Sequence, residues 1–163
     1  MKKKIAIDLD GVVFDSENLY RVYTEIYDVE VKGGNHLVDN SKRLFQQRYN
    51  WTDEDIQDFY QKNAETVLTT ANLMSGVDIV LPKLCESYDI VIVTSRSDKE
   101  ISYAKEKLKE IGLENVKIYN NEYSKIERFK QENVTYIIDD DEVICKNAAL
   151  NGFIALYFKN AAS

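Results

Sequence analysis

The chain has 163 residues, 44% hydrophobic and 30% charged, as expected for one globular domain with room for a small insertion. Its formal net charge of −7 argues against a nucleic-acid polymer as partner, because such binding depends on Lys and Arg neutralising phosphates. No apolar stretch approaches the roughly 20 residues that cross a bilayer, and the two cysteines lack a CxxC spacing, so we expect a cytoplasmic protein with no membrane contact and with reduced thiols.

The first predicted strand, residues 3–9, leads directly into acidic residues. Its Ile- and Ala-rich run is typical of a strand buried on both faces, and open α/β sheets bind ligands at the carboxyl ends of such strands. Residues i and i+2 of a strand share a face, so Asp8 and Asp10 can point to one position, while Gly11 lets the chain turn beyond them. This pattern indicates a site for a hard cation and a phosphoryl group.

Residues 15–75 contain no convincing strand and are predicted to form an inserted helical cap on a core made of residues 1–14 and 76–163. The expected cap helices cover about 16–28, 41–49 and 53–71. Thr52 followed by acidic residues is a strong start signal for the last of them.

Aromatic residues are frequent in the predicted cap. Tyr20, Tyr23 and Tyr27 recur at helical spacing, which favours packing within the cap, although such rings could also stack on a flat leaving group. The single histidine, His36, lies beside two glycines in a predicted turn, and we expect it to have neither a catalytic nor a metal-binding role.

The remainder of the chain alternates strands with helices, which predicts parallel βαβ units. The expected strands are 89–94, 116–119, 134–139 and 153–158, and the expected helices are about 76–88, 98–111, 124–132 and 141–150. Pro82, the only proline, suits the first turn of its helix better than the interior.

Two of these strands also end in polar residues. The second runs into Thr94, Ser95 and Arg96, and the fourth into Asp139, Asp140 and Asp141. A lysine, Lys125, precedes the acidic run in a predicted helix; Lys117 and Lys130 are the alternatives for a cation at this edge, and Asp141 is expected to cap the next helix.

The order of these features resembles the four motifs of the haloacid dehalogenase superfamily of phosphohydrolases, over residues 4–158. The motifs are the DxDGV opening, the strand-terminal Thr, the Lys and the hydrophobic run into DD. The resemblance implies an α/β fold: a doubly wound parallel sheet of about five strands, in the order 5-4-1-2-3, with a small helical cap. The opening and short insertion look most similar to the 5′-nucleotidase and deoxyribonucleotidase branch. Val12 stands where many superfamily members carry Thr, which is compatible with this branch, whereas Thr94-Ser95-Arg96 departs from the sequence expected in the deoxyribonucleotidases.

The resemblance also implies residue roles. Asp8 would be the nucleophile, Asp10 the general acid/base, and Mg²⁺ would be held by Asp8, the Asp10 carbonyl and Asp139, with Asp140 binding a metal-bound water or orienting Lys125. Thr94 and the neighbouring Ser95 would hold a phosphoryl oxygen, and Lys125 would offset negative charge. Phe14, just beyond the catalytic loop, is a candidate substrate contact, and Arg96 would either contact substrate or pair with a surface acid.

Together these features predict a Mg²⁺-dependent phosphomonoester hydrolase that forms an aspartyl phosphate and acts on a small phosphorylated metabolite, with nucleoside monophosphates as candidate substrates. The alternatives are a phosphatase of sugar phosphates or other small metabolites, a phosphotransferase on the same fold, and a non-enzymatic module that binds a divalent metal.

Overall fold

The computed structural model describes residues 1–163, and five parallel strands form its single sheet in the order β3-β2-β1-β4-β5. The strands are β1 (Lys4–Ile7), β2 (Asp89–Val93), β3 (Lys117–Tyr119), β4 (Tyr136–Asp139) and β5 (Ile154–Tyr157). Each lies within its predicted range. The order is the predicted 5-4-1-2-3 viewed from the opposite edge, so the doubly wound parallel fold is confirmed and β1 lies at the centre.

Seven helices accompany the sheet, and none combines the length and apolar character needed to span a membrane. They are α1 (Ser16–Glu30), α2 (Phe45–Arg48), α3 (Asp53–Thr70), α4 (Val77–Ser87), α5 (Asp98–Glu110), α6 (Ile126–Gln131) and α7 (Glu142–Leu150). Local sequence sets several of their starts. Ser97 and Thr52 each form a capping box at the start of α5 and α3, and Asp141 caps α7 through the backbone amides of Val143 and Ile144.

The core lies on both faces of the sheet because the strand residues alternate between them. Ile5 and Ile7 of β1 join one apolar cluster, which also contains Ile92 and Leu108, whereas Ala6 joins a second cluster on the opposite face. Burial of each such large side chain contributes about 1.5–3 kcal/mol relative to exposure. The central strand is therefore fixed on both sides, and so is the loop that follows it.

Helices α1, α2 and α3 pack on one another around a separate cluster of buried aromatic rings. Tyr20 and Tyr27 of α1 contact Phe59 of α3 with ring centroids 6.2 and 5.5 Å apart, which agrees with the packing role expected from their spacing. Tyr23 is only partly buried against the same cluster.

Two details of the helices differ from prediction. The helix expected over 41–49 covers only Phe45–Arg48, because the amides of Val38 and Asp39 bond to the Arg48 carbonyl and fold the preceding segment back. Pro82 lies beyond the first turn of α4, whose cap is Gly76 with φ of 86°. The expectation of a first-turn position was wrong because the helix begins earlier than the proline suggested.

Candidate active site

The carboxyl ends of β1 and β4 bring three acidic side chains together. The amide of Asp8 donates to the carbonyl of Ile138 at 3.0 Å and so extends the pairing of the two strands to the sheet edge. Carboxylate oxygens of Asp8, Asp139 and Asp140 all lie within 4.8 Å of one another. The three residues are only 9%, 1% and 1% exposed, so their negative charges are poorly screened by water.

Lys125 supplies the positive charge within this cluster. Its Nζ donates to Oδ1 of Asp8 at 3.0 Å and to Oδ2 of Asp139 at 2.7 Å. Burial lowers the pKa of Lys125, but the two carboxylates outweigh it and raise the pKa well above its ordinary value. Burial and the neighbouring acids Asp139, Asp140 and Asp10 raise the pKa of Asp8, and Lys125 opposes them.

The backbone, rather than a helical position, directs Lys125 into the site. The residue precedes α6 as its N-cap and has φ of 66°, a left-handed conformation that side-chain-bearing residues rarely adopt. The alternative lysines lie elsewhere: Nζ of Lys117 is 5.0 Å from the ring centroid of Tyr119, and Lys130 is on the surface beside Glu127.

Asp10 is held by a buried arginine. Nε and Nη2 of Arg96 donate to the two carboxylate oxygens of Asp10 at 2.9 and 2.7 Å, and the hydroxyl of Ser16 also donates to Oδ1. Burial alone would raise the pKa of Asp10, but these donors and the charge of Arg96 lower it overall. Arg96 is 3% exposed. Of the two roles expected for Arg96, the pairing with a surface acid is therefore corrected: its partner is the partly buried Asp10 at the sheet edge.

The remaining predicted substrate residues divide between the cleft and the core. Ser95 lines the cleft beside Asp8 and Asp10. Thr94 is 1% exposed, and its Oγ1 accepts a hydrogen bond from the Arg96 amide at 3.2 Å. Phe14 lies outside the cleft: it is 1% exposed in the core, and the Arg96 guanidinium lies 5.2 Å from its ring centroid. The chain turns inward after Gly11, which places Phe14 in the core. There its ring packs against the guanidinium of Arg96.

Asp140 is positioned by a residue near the end of the chain. Nδ2 of Asn160 donates to Oδ2 of Asp140 at 3.2 Å and to the carbonyl of Gly11 at 2.8 Å. Gly11 has φ of 85°, and a Cβ there would collide with the Asp140 carboxylate and lie 2.8 Å from Nδ2 of Asn160. Burial, together with Glu17 and Asp139, raises the pKa of Asp140 to about 6, although Arg43 lowers it.

Two residues from the segment between β1 and α3, which the sequence did not indicate, also reach the cleft. Arg43 lies with Nη1 3.3 Å from Oδ2 of Asp141 and Nη2 3.7 Å from Oδ1 of Asp140, and it faces Glu17 at 3.9 Å. Burial raises the pKa of Glu17 to about 7, with Arg43 opposing the shift. Neither residue belongs to a recognisable motif, since each reaches the site through packing between the insertion and the core.

These residues line two neighbouring cavities. One, of about 220 Å³, contains Asp8, Asp10, Arg43, Lys125 and Asp139 in its walls. The other, of about 630 Å³, lies between α1, α3 and the start of α5. They share Asp10, Glu17, Ser95 and Tyr123, so the larger cavity opens beside the acidic cluster.

The acidic cluster fits a magnesium ion. Mg²⁺ prefers oxygen ligands and is usually held in proteins by one or two carboxylates plus substrate phosphate and water. Asp8, Asp139 and Asp140 present such oxygens. Oδ1 of Asp140 is buried without a hydrogen-bond partner, with Nη2 of Arg43 3.7 Å away, and a bound cation would satisfy it directly. The carboxylates of the predicted ligand set are therefore compatible with this ion.

Of the other residues singled out in the sequence, His36 and Cys85 lie away from the acidic cluster, whereas Cys145 contacts the backbone of Asp139. His36 contacts Asp28 at 3.1 Å within the helical insertion. Cys85 and Cys145 are free thiols, and Sγ of Cys145 donates to the carbonyl of Asp139 at 3.5 Å. Burial raises the pKa of Cys145 to about 11, so its thiol stays protonated at neutral pH.

Comparison with known proteins gives a consistent fold but no close sequence relative. No protein-family profile and no curated protein sequence matches the chain. A haloacid dehalogenase-like hydrolase from Streptococcus pneumoniae is similar in structure, with a TM-score of 0.70, 17% identity, and coverage of 99% of this chain and 88% of that one.

Two further solved structures show the same architecture. A protein named as a candidate phosphoglycolate phosphatase from Lactobacillus plantarum has a TM-score of 0.69 at 12% identity, covering 95% of this chain and 85% of its own. A phosphonoacetaldehyde hydrolase-like protein from Oleispira antarctica has a TM-score of 0.65 at 14% identity, covering 96% and 72%. The fold is thus that of haloacid dehalogenase-superfamily hydrolases, and the comparisons do not support the narrower likeness to the 5′-nucleotidase branch.

Proposed function

We propose that this protein is a Mg²⁺-dependent phosphomonoester hydrolase that acts through an aspartyl phosphate on Asp8. The observation that carries the proposal is the convergence, at one sheet edge, of a nucleophile candidate, a buried lysine and a set of metal-type carboxylates. Asp8, Lys125 and Asp139 are joined by contacts of 2.7–3.0 Å although they come from three separate parts of the chain. The fold shared with known hydrolases of the superfamily supports the same reaction class.

In the first step, a carboxylate oxygen of Asp8 attacks phosphorus, and the bond from phosphorus to the leaving oxygen breaks. A Mg²⁺ held by Asp8, Asp139 and Asp140 would offset charge on the phosphoryl oxygens. Lys125 keeps the carboxylate of Asp8 oriented and reduces its repulsion of the incoming phosphate. Arg43 contributes a second positive charge on the wall of the same cleft.

Asp10 would serve both proton transfers. The negative charge of the bound substrate would favour uptake of a solvent proton by Asp10, which passes it to the leaving oxygen in the first step; the ionised carboxylate then takes a proton from the attacking water in the second. Arg96 and Ser16 favour its ionised form, which is the form needed to accept the proton from water. They also fix the carboxylate on the wall that separates the acidic cluster from the larger cavity. The leaving group would occupy that larger cavity.

Nucleoside monophosphates stay among the proposed substrates because aromatic side chains line the larger cavity. Tyr20, Tyr60 and Tyr123 contribute to its walls, and flat rings of this kind can stack on a base. Sugar phosphates are the second candidate class, since tyrosine hydroxyls and the amide of Gln61 offer hydrogen bonds to sugar hydroxyls.

The test is phosphate release from a panel of nucleoside monophosphates, sugar phosphates and p-nitrophenyl phosphate, with Mg²⁺ or a chelator. We expect Mg²⁺-dependent release that is lost in Asp8→Asn and retained in Asp89→Asn, which makes the same change at an exposed strand residue. A folded protein that binds Mg²⁺ and releases no phosphate from any substrate would contradict the proposal and favour a metal-binding module or a phosphotransferase.

A further inference from the structure

The larger cavity beside the acidic cluster contains the groups that would meet the leaving alcohol of the substrate. Its volume is about 630 Å³, and it is reached past Asp10 and Ser95, which lie in both cavities. Another cavity, of about 520 Å³, shares Arg43 and Asp141 with the cleft, but Asp10 does not line it. Because Asp10 is the proposed acid for the leaving oxygen, the leaving group of a phosphate bound at Asp8 would lie in the 630 Å³ cavity. The charge of the cavity walls then determines which alcohols fit.

The only cation on these walls is already neutralised. Arg96 forms a salt bridge with Asp10 through two hydrogen bonds of 2.7 and 2.9 Å. Its Nη1 donates to the carbonyl of Glu100 at 3.1 Å. Three of its five N–H donors are used and its charge is paired with Asp10, so this guanidinium attracts a carboxylate or a second phosphate on the substrate only weakly. An anionic leaving group would find no free cation in this cavity.

The same walls carry two further carboxylates. Glu100 lies at the start of α5, where its Oε1 accepts a hydrogen bond from the amide of Ser97 at 3.0 Å, and Glu17 faces it from the helical insertion. At pH 8 Glu17 is mainly ionised, because burial raises its pKa only to about 7. Arg43, on the wall of the smaller cavity, lies 3.9 Å from Glu17 and offsets part of its charge, whereas Glu100 has no salt-bridge partner, so the walls of the larger cavity keep a negative charge beyond the Arg96–Asp10 pair.

The remaining wall groups are neutral. Tyr20 and Tyr60 stay protonated because burial raises the pKa of both phenols, that of Tyr60 to about 12. With Gln61 they supply hydrogen-bond donors and ring faces without charge, and Ala64 and Leu68 add apolar surface. These groups suit hydroxyls, amines or a flat ring on the leaving group.

We propose that the substrate's leaving group carries no negative charge, so that the enzyme prefers phosphate esters of neutral or cationic alcohols and discriminates against esters whose alcohol bears a carboxylate or a second phosphate. This inference rests on the proposed phosphatase function. It also separates this chain from a phosphoglycolate phosphatase, whose leaving alcohol, glycolate, bears a carboxylate, despite the shared fold.

The test compares three small esters of similar size at pH 8 with Mg²⁺: 2-phosphoglycolate, glycerol 2-phosphate and phosphoethanolamine. Each is used as a competitor of p-nitrophenyl phosphate hydrolysis, which ranks their binding whether or not they are turned over, and kcat/KM is measured for those that are hydrolysed. We expect 2-phosphoglycolate to be the weakest of the three, by about tenfold against phosphoethanolamine. Equal or tighter binding of 2-phosphoglycolate would overturn the inference.

Removing one carboxylate from the cavity wall tests whether the cavity causes the discrimination against 2-phosphoglycolate. Glu100→Gln keeps a side-chain acceptor for the Ser97 amide, so the helix cap is preserved, and we expect it to reduce the discrimination against 2-phosphoglycolate by about threefold or more. Glu106→Gln makes the same change at an exposed position of α5 outside the cavity and should leave the ranking unchanged. An equal effect of both variants, or no effect of Glu100→Gln, would contradict the assignment.

The readouts separate this inference from the proposed function. Hydrolysis of p-nitrophenyl phosphate combined with a preference for 2-phosphoglycolate would overturn the leaving-group assignment alone. Failure of the wild-type protein to hydrolyse p-nitrophenyl phosphate or any of the esters would overturn the phosphatase proposal and, with it, this inference.

Discussion

Arg96 grips both carboxylate oxygens of Asp10, with Nη2 2.7 Å from Oδ1 and Nε 2.9 Å from Oδ2. The pair joins the ends of β1 and β2 across 86 positions of the sequence. The guanidinium also packs against the ring of Phe14. A two-point contact of this kind fixes the direction of the carboxylate as well as its charge. Arg96 is therefore a positioning residue for the proposed general acid/base.

We predict that Arg96→Lys lowers kcat for p-nitrophenyl phosphate by about 10- to 100-fold, because an ammonium group cannot form the two-point contact that orients Asp10. KM should change by less than kcat, since Arg96 is not expected to contact the phosphate. The pH profile should shift as well, because the pKa of Asp10 rises when its donors are weakened. Arg128→Lys, at a partly exposed arginine that contacts Glu122, is the matched control. Equal kinetics for both variants would refute this positioning role.

We predict that Gly11→Ala abolishes Mg²⁺-dependent activity and weakens Mg²⁺ binding, because the added Cβ displaces Asp140 and Asn160. The appropriate control is Gly112→Ala. Gly112 has φ of 80° and nothing within 4 Å of the added Cβ, so it suffers the same backbone strain without the collision. Both variants should lose about 1 kcal/mol or more of stability, and only Gly11→Ala should lose metal binding by calorimetry. Normal Mg²⁺ affinity in Gly11→Ala would argue against Asp140 as part of the metal site.

We predict that Mg²⁺ affinity falls as the pH is lowered from 7 to 5. A proton competes with the metal for Asp140, whose pKa burial raises to about 6, and a carboxylate must be ionised to bind the metal. Asp140→Asn should weaken binding by about tenfold or more at pH 7 and flatten the pH dependence. Glu142→Gln, at an exposed acid paired with Lys146, should change neither. Calorimetric titrations at several pH values test this, and a pH-independent affinity in the wild type would contradict it.

We predict that Glu17→Gln stabilises the metal-free protein at pH 8. Burial raises the pKa of Glu17 from 4.5 to about 7, so its protonated form favours folding at low pH and this contribution is lost as the pH rises through 7. The variant avoids that loss. We expect its free energy of unfolding to exceed that of the wild type by about 1–2 kcal/mol at pH 8 and to change little at pH 5. Glu30→Gln, on the exposed end of the same helix, should show no such pH dependence. Denaturant unfolding with chelator present measures both.

The sheet and much of the site could be predicted because the signals are local. Short apolar runs place the strands, and the polar residues that follow them meet at one edge in any parallel sheet of this order. Asp8, Asp10 and Asp139 were found in this way. The lysine was also identified correctly as the nearest cation, but its left-handed backbone was not, because Lys125 carries no local signal for φ of 66°.

The contacts that complete the site could not be predicted from the sequence. Asn160 reaches the Gly11 carbonyl across 149 positions, and Arg43 reaches Asp141 across 98. Such contacts depend on how the insertion and the last segment pack on the core, and no residue pattern encodes them. Phe14 was assigned to the substrate because it follows the catalytic loop, but the turn after Gly11 directs it into the core.

The central claim is that Asp8 becomes phosphorylated during turnover. The most direct measurement is an acid quench of the protein in the steady state with a hydrolysed substrate and Mg²⁺, followed by mass spectrometry of the peptide that contains Asp8. The account predicts that a fraction of this peptide carries one phosphoryl group on Asp8, that the label disappears when a chelator is present, and that Asp8→Asn shows neither label nor phosphate release. Phosphate release without any label on Asp8, or undiminished release by Asp8→Asn, would contradict the proposed mechanism.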